Sequence, residues 1–446
     1  MKLYKTFIFD SYKFDVATKT VSLRYSYDDE LFFEETIEFP LERQLDNIEL
    51  EILDTAFKYL HLSAGVSYYK LFLPYSIEVR TMELDSEQAD FFNTLYRKGL
   101  GEFSYKNKIM DLWDRIKFPS TGQSRKNPNL DFKLAKRLAI PIGGGKDSIV
   151  TLETIKNHYR DEDIVLCSTE KAPAVTGTIA ASSCKNYFYV KRTISKQLLD
   201  LNKKLDEIGG YSGHIPIGGI IAFILLAAGI VYGFSTILMS NERSANVGNV
   251  YFNGTMVNHQ WSKSFEFEKS MNSFIKKYVL RNFNYISFLR PISEIHIVKI
   301  FSRLEKYHKL FMSCNKNFRI ENRLNGWCCD CDKCRFVFLA LAVFMDKNSL
   351  TNIFGADLLD VEGQLGGFLE LCGLENHRPF ECVGEIEESV YAMLNVHRSF
   401  RDDFAVKKIQ NLLGDYDVAN LENKLFTPTS EHLLSEDMFN MLNEVL

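Results

Sequence analysis

Apolar and polar residues alternate with a period of two near the start of the chain. This predicts strands at residues 5–9, 20–27, 32–39 and 70–79, with helical spacing at 48–62 and 86–98 between and after them. The result is an α+β module in which nothing announces chemistry. A polar stretch from Pro119 to Asn129, containing Pro, Gly, Ser, Lys and Asn, suits a linker or surface loop. Beyond it the pattern changes: strands at 137–142, 163–168, 187–190 and 235–239 are separated by helical segments at 148–159, 195–208 and 219–232. Strands separated by helices imply a parallel, doubly wound α/β sheet that binds ligands at the carboxyl ends of its strands. After Asp346 the chain is mostly helical, with amphipathic segments at 390–396 and 402–413. The expected organisation is an accessory module over residues 1–130, a catalytic α/β domain over 131–345 and a helical region over 346–446. There is no internal repeat and no low-complexity segment.

One run tests whether the chain enters a membrane, because Ile215 to Ser240 contains no charged residue and is long enough to span a bilayer. Pro216, Gly218 and Gly219 near its start and Gly233 to Ser235 near its end favour a buried helix followed by a buried strand. The composition, 46% hydrophobic and 25% charged in 446 residues, is that of a multidomain globular protein. A net charge of -5 gives no overall basic field, so nucleic acid is not an expected partner, while a small anionic substrate remains compatible. Met1 to Asp10 lacks the apolar run of a secretory signal, so a cytoplasmic location is expected.

The sequence Arg137-Leu-Ala-Ile-Pro-Ile142 runs directly into Gly143-Gly-Gly-Lys-Asp-Ser148 and then into the helical Ile149-Val-Thr-Leu-Glu153. Glycines between a strand and a helix let backbone N–H groups approach an anion closely, and the helix N-terminus adds its positive dipole end. A tight turn capped by Asp147 or Ser148 would use the same residues, but the strand-to-helix context favours a phosphate cradle. It is not a Walker loop, because the four-residue spacer and the Gly-Lys-Ser/Thr ending are missing. The segment resembles the PP-loop ATP-pyrophosphatase superfamily, whose signature is Ser-Gly-Gly-x-Asp-Ser. That resemblance implies binding of ATP with Mg²⁺ through Gly143, Gly144, Gly145, Lys146, Asp147 and Ser148, with release of AMP and pyrophosphate. Gly143 stands in place of the leading Ser, and Lys146 fills the free position.

Nine cysteines, four of them between Cys328 and Cys334, point to a metal site rather than a disulfide framework. Cys328, Cys331 and Cys334 recur every third residue, and Cys314 upstream is the natural fourth thiolate for a tetrahedral zinc. Cys329, Cys372 and Cys382 are competitors for the fourth place. The segment Phe288-Leu-Arg-Pro-Ile-Ser-Glu294, followed by a helix and Met312-Ser-Cys314, resembles the closing strand, proline turn and cysteine entry of 7-cyano-7-deazaguanine synthase. That likeness implies a closed, structural four-cysteine zinc site.

Between these landmarks Asn241, Glu242 and Arg243 stand where a parallel strand ends, the place where open α/β sheets bind ligands. His259 and Lys263 lie in the polar run that follows, and His214 enters the apolar helix. Glu266 and Glu268 alternate with Phe265 and Phe267, as at the edge of a strand. Five segments together are similar to the UDP-N-acetylmuramoyl-L-alanyl-L-glutamate epimerase family of bacterial cell-wall synthesis. They are the glycine loop, Ser240-Asn-Glu-Arg-Ser-Ala245, Asn258-His-Gln-Trp-Ser-Lys-Ser-Phe-Glu266, the cysteine cluster and Arg378-Pro-Phe-Glu-Cys-Val-Gly384. Cys329 stands where that pattern leads one to expect glycine or a similarly small residue. The resemblance implies an ATP-dependent isomerase that inverts the terminal L-Glu of UDP-MurNAc-L-Ala-L-Glu, a UDP-sugar dipeptide. Adenylation would remove the carboxylate charge that opposes loss of the Cα proton, with Asp147 and Ser148 at the ATP loop and Glu242, Arg243, His259, Lys263 and His214 as candidate catalytic groups. Two alternatives remain: a PP-loop ligase or amidase acting on a carboxylated heterocycle, and a non-catalytic nucleotide-binding protein.

Overall fold

The computed structural model describes residues 3–40, 43–123, 127–318, 326–375 and 379–446. Its strands are β1 (Thr6–Asp15), β2 (Thr20–Tyr27), β3 (Leu31–Glu38), β4 (Ser76–Val79), β5 (Leu138–Pro141), β6 (Ile164–Ser168), β7 (Tyr187–Tyr189), β8 (Lys191–Thr193), β9 (Thr236–Met239), β10 (Val250–Phe252), β11 (Thr255–Val257) and β12 (Asn284–Ser287). Two five-stranded sheets dominate. The first has the order β4-β1-β2-β3-β8, in which β1 to β3 form an antiparallel meander and β4 pairs parallel with β1. The second has the order β12-β9-β5-β6-β7, and each pairing in it is parallel. Chain order reverses between β5 and β9, which leaves a crevice at their carboxyl ends.

The parallel sheet is the wall between two hydrophobic cores. Period-two alternation sends Ala139, Val165, Ile237 and Tyr285 to one face, where they join the aromatic core of the first sheet. The residues between them, Leu138, Ile140, Leu166, Leu238 and Ile286, join the core of the C-terminal helices. The sheets are also joined along the chain, because only Val190 separates β7 from β8. Arg192 on β8 pairs with buried Glu35 on β3 at 2.8 Å, and Tyr68 donates to the same carboxylate at 2.9 Å.

The uncharged run forms a helix, Ile217–Tyr232, buried along nearly its whole length against the helix Asn47–Ala64. At Gly229 a Cβ would lie 2.5 Å from the Phe283 ring, so glycine permits that approach. Among the described residues, no helix is long and apolar enough to cross a membrane.

Three local expectations change. Residues 70–79 are not one strand: a turn with Leu73 at φ 49° precedes β4, because the apolar side chains of Leu71 and Leu73 turn into the core. The segment 195–208 splits into helices Lys196–Leu201 and Leu205–Ile208. Phe265 to Glu268 open the helix Phe265–Tyr278, where Ser264 caps the Phe267 amide, instead of forming a strand edge. Of the polar stretch 119–129, residues 124–126 lie outside the described residues, as does Arg378 of the later motif.

Candidate active site at the ends of β5 and β9

The glycine loop connects β5 to the helix Lys146–Lys156. Gly144 adopts φ 78°, and a Cβ there would meet Ala174 at 2.7 Å, so both conformation and space require glycine. Gly145 is the N-cap and has no side chain to satisfy the first helical amides, while Ser148 Oγ donates to the Gly145 carbonyl at 3.1 Å. Gly143 is exposed and open on its Cα face. Lys146 is wholly buried, and its ammonium contacts the carboxylates of Asp147 and Glu294. Burial alone would lower its pKa, but these two negative charges outweigh burial and raise it. Lys333 Nζ contacts the other oxygen of Glu294 at 3.1 Å. Burial pushes Glu294 up, yet Lys146 and Lys333 hold it down at about 2.

At the end of β9, Asn241 donates to Ser287 Oγ at 3.1 Å, and Glu242 is buried. Burial pushes Glu242 up to about 7, with the charges of Glu294 and Asp147 adding to the shift. Its backbone is fixed by Arg290, a fully buried side chain that donates to the carbonyls of Glu242 at 2.6 Å and Lys263 at 2.5 Å. Arg290 is paired in turn with buried Glu268 at 3.0 Å. Arg243 points elsewhere, toward the carbonyls of Lys424 and Thr427, both at 3.3 Å.

Lys263 leads from this cluster to a second one. Its ammonium lies 3.3 Å from Cys382 Sγ. The negative charge of Cys382 raises Lys263, burial opposes it, and Glu242 and Asp147 add to the rise. His259 hydrogen-bonds Glu102 and stands beside Cys382, and His214 Nδ1 lies 3.4 Å from the same Glu102 carboxylate. Burial disfavours the charged form of His259, but Cys382 and Glu102 raise it to about 9. His214 is pushed down to about 4 by burial and by the neighbouring His259 charge. Burial pushes Glu102 up, but His259, Lys106 and His214 lower it to about 2. For Cys382, burial is outweighed by Lys263 and His259, and the thiol falls to about 6.

The four thiols of Cys314, Cys328, Cys331 and Cys334 lie within 4.8 Å of one another. Cys331 and Cys328 are 3.4 and 3.6 Å from Cys334, close to the ~3.8 Å that ~2.3 Å metal–sulfur bonds impose in a tetrahedron. The competitors are used elsewhere: Cys329 donates to the Phe354 carbonyl, Cys372 is buried in the C-terminal core, and Cys382 adjoins Lys263. Cys329 has φ 54°, a conformation that glycine adopts without strain. This cysteine site borders the glycine loop, because the Met312 amide donates to the Gly144 carbonyl at 2.8 Å and Lys333 lies between Cys331 and Cys334 in sequence.

A cavity of about 600 Å³ opens beside these clusters, lined by Arg97, Trp113, Asn246, Asn258, Trp261 and Glu266 among others. It shares the 258–266 segment with Lys263 but is not lined by the glycine loop. Glu294 and Glu102 were not singled out as chemical groups from the sequence, and Cys382 was weighed only as a fourth metal ligand. Cys382 does fall in a segment that carried the family resemblance and Glu294 in the one that resembles 7-cyano-7-deazaguanine synthase, whereas Glu102 had no sequence signal.

No solved structure matches this chain. The family profile of the MurL N-terminal domain matches residues 1–288, and that of the MurL C-terminal domain matches residues 310–422. A protein of Xanthomonas oryzae pv. oryzae named UDP-N-acetyl-alpha-D-muramoyl-L-alanyl-L-glutamate epimerase is 36% identical over 409 residues, covering 90% of this chain and 88% of that one. A protein of the same name from Micromonospora sp. is 35% identical over 436 residues, covering 96% and 95% of the two chains. With family profiles matching on both sides of the site and similarity running through nearly the whole length of these relatives, the chain belongs to the MurL family.

Proposed function

We propose that this chain is an ATP-dependent epimerase that converts the terminal L-Glu of UDP-MurNAc-L-Ala-L-Glu to D-Glu, on a doubly wound sheet of the PP-loop type. The observation that carries this reading is the meeting of two sets of groups at the β5/β9 crevice: a glycine loop with a carboxylate and lysine network, and a buried acid–base cluster. The relatives' names supply the substrate. The residues fit a nucleotide triphosphate with Mg²⁺. Gly143 is exposed with nothing within 4 Å of where a Cβ would stand, which leaves the loop open on that side, and Ser240 Oγ, at the end of β9, is buried without a hydrogen-bond partner among the described residues.

When bound, ATP supplies activation of the glutamyl α-carboxyl as an adenylate, with pyrophosphate leaving. The amides of Gly144 and Gly145 and the start of the helix Lys146–Lys156 hold phosphate oxygens. Asp147 and Glu294 are hard oxygen ligands for Mg²⁺, and Lys146 and Lys333 balance their charge. Glu242, Lys263, His259 and His214 are the pool of acids and bases for moving the Cα proton. The four-cysteine site takes zinc as a structural ion that fixes Lys333 and the segment against the glycine loop.

The test is product analysis with purified protein, ATP, Mg²⁺ and UDP-MurNAc-L-Ala-L-Glu. AMP and D-Glu should appear together, and neither should form without the dipeptide substrate. AMP formation with a carboxylated deazaguanine and none with the UDP-sugar dipeptide would transfer the assignment to the ligase reading.

A further inference from the structure

We propose that Cys382, placed between the Lys263 ammonium and the His259–Glu102 pair, is the base that removes the Cα proton of the glutamyl substrate. This rests on the epimerase reading above.

Three neighbours define the arrangement. Lys263 Nζ donates to Cys382 Sγ at 3.3 Å, His259 stands beside the same thiol, and the Glu102 carboxylate holds the Nδ1 side of the His259 ring. The sulfur therefore faces two cations, Lys263 and His259, and feels Lys333 as a third. Elsewhere in the chain the same residue type behaves in the opposite way. Burial in apolar surroundings pushes Cys372 up to about 12, whereas half-buried Cys382 is lowered to about 6 by its cationic neighbours. The turn that carries it is fastened across the site. Asn249 donates to the Pro379 carbonyl at 2.9 Å, and Phe380 stacks on Tyr105 with ring centroids 5.3 Å apart. Cys382 also lies outside the four-thiol set, and a structural role in that set does not account for its neighbours.

A half-buried thiolate that titrates near neutrality suits proton removal from carbon, because it is charged at working pH and its conjugate acid can release the proton again. In the forward step the Cα–H bond breaks, the proton goes to Sγ, and the electron pair passes into the activated carboxyl as an enolate. Glu242 completes the inversion. Lys263 feels the charges of both Cys382 and Glu242, and burial keeps the Glu242 carboxyl protonated far more than usual. Its proton goes to the opposite face of Cα. Cys382 then loses a proton to water and Glu242 regains one, so the inversion itself neither gains nor loses a proton, and water then cleaves the acyl adenylate to give the free α-carboxylate and AMP.

Two measurements test this, and the first needs no substrate. The rate of Cys382 alkylation by iodoacetamide, followed by mass spectrometry of its peptide, should rise with pH about a midpoint near 6. In His259→Asn and Glu102→Gln that midpoint should move upward toward the ordinary thiol value of ~8.5. An ordinary midpoint in the unmodified protein, or one unmoved by both substitutions, overturns the proposal. The second compares Cys382→Ala and Cys382→Ser with the unmodified protein in deuterium oxide, with ATP and the UDP-sugar dipeptide. Deuterium gained at Cα per AMP released should fall by about 100-fold or more. An unchanged ratio, or loss of AMP release in a folded variant, removes Cys382 from the proton-transfer step. If the unmodified protein releases no AMP with this substrate, the epimerase reading fails, and the alkylation profile still decides the state of the thiol.

Discussion

Arg290 carries more of the site than its distance from the chemistry suggests. It is fully buried, its charge is matched by Glu268, and its remaining donors hold the carbonyls of Glu242 and Lys263. In Arg290→Met the Glu268 carboxylate stays buried without its cation, a loss of about 3–5 kcal/mol that urea denaturation should register. Glu242 gives a second residue-scale prediction. Its folded-state pKa of about 7 lies above the ordinary 4.5, so the folded protein binds a proton there that the unfolded chain releases. That contribution is fully present below about pH 4.5 and is lost as pH rises toward 7. The stability difference between the unmodified protein and Glu242→Gln should therefore fall between those pH values and level off above them. A difference that rises with pH would mean that Glu242 is held charged in the fold.

Two short elements place the charges, and each has its own test. The four-cysteine cluster fixes the start of the helix Asp332–Leu341, and Lys333 on that helix reaches Glu294. Cys331→Ser should lower the bound metal from one ion per chain to a small fraction and lower the thermal midpoint, with activity lost as a consequence. Elemental analysis of the folded protein checks the stoichiometry, and a metal-free protein of full stability would refute the structural ion. The glycine loop depends on backbone freedom. Gly144→Ala puts a Cβ at φ 78° and 2.7 Å from Ala174, so the loop must shift. Affinity for ATP, read by calorimetry, should drop by at least tenfold while the thermal midpoint falls by only a few degrees. The spacing of glycine, lysine, aspartate and serine in that loop, and of the cysteines every third residue, was legible because each motif is contiguous. Elements whose cue extends past a short local pattern read differently in the structure. Residues 265–268 alternate like a strand, but a serine cap and the apolar face continuing to Tyr278 make them helical.

At the scale of the whole molecule, the first sheet is completed by parts of the chain far from it in sequence. β8 pairs with β3, Arg192 neutralises buried Glu35, and the helix Ile217–Tyr232 covers the helix Asn47–Ala64. Residues 1–130 expressed alone would keep Glu35 without its cation and expose that apolar face. The fragment should lack the cooperative thermal transition of the full chain by circular dichroism. A sharp transition in the fragment would show that these later elements are dispensable. The sequence by itself determined the alternation of strands and helices, the glycine-loop motif, the metal-type cysteine spacing and the family resemblance, because each is written in neighbouring residues whose periodicity and chemistry are local. Only the tertiary structure decided which charges meet. Lys146 joins Glu294 across 148 positions, His259 joins Glu102 across 157, and Lys263 joins Cys382 across 119. No local pattern specifies such pairs: they form because strand order at the β5/β9 switch and burial between two cores bring distant side chains into one low-dielectric crevice, where each charge needs a partner.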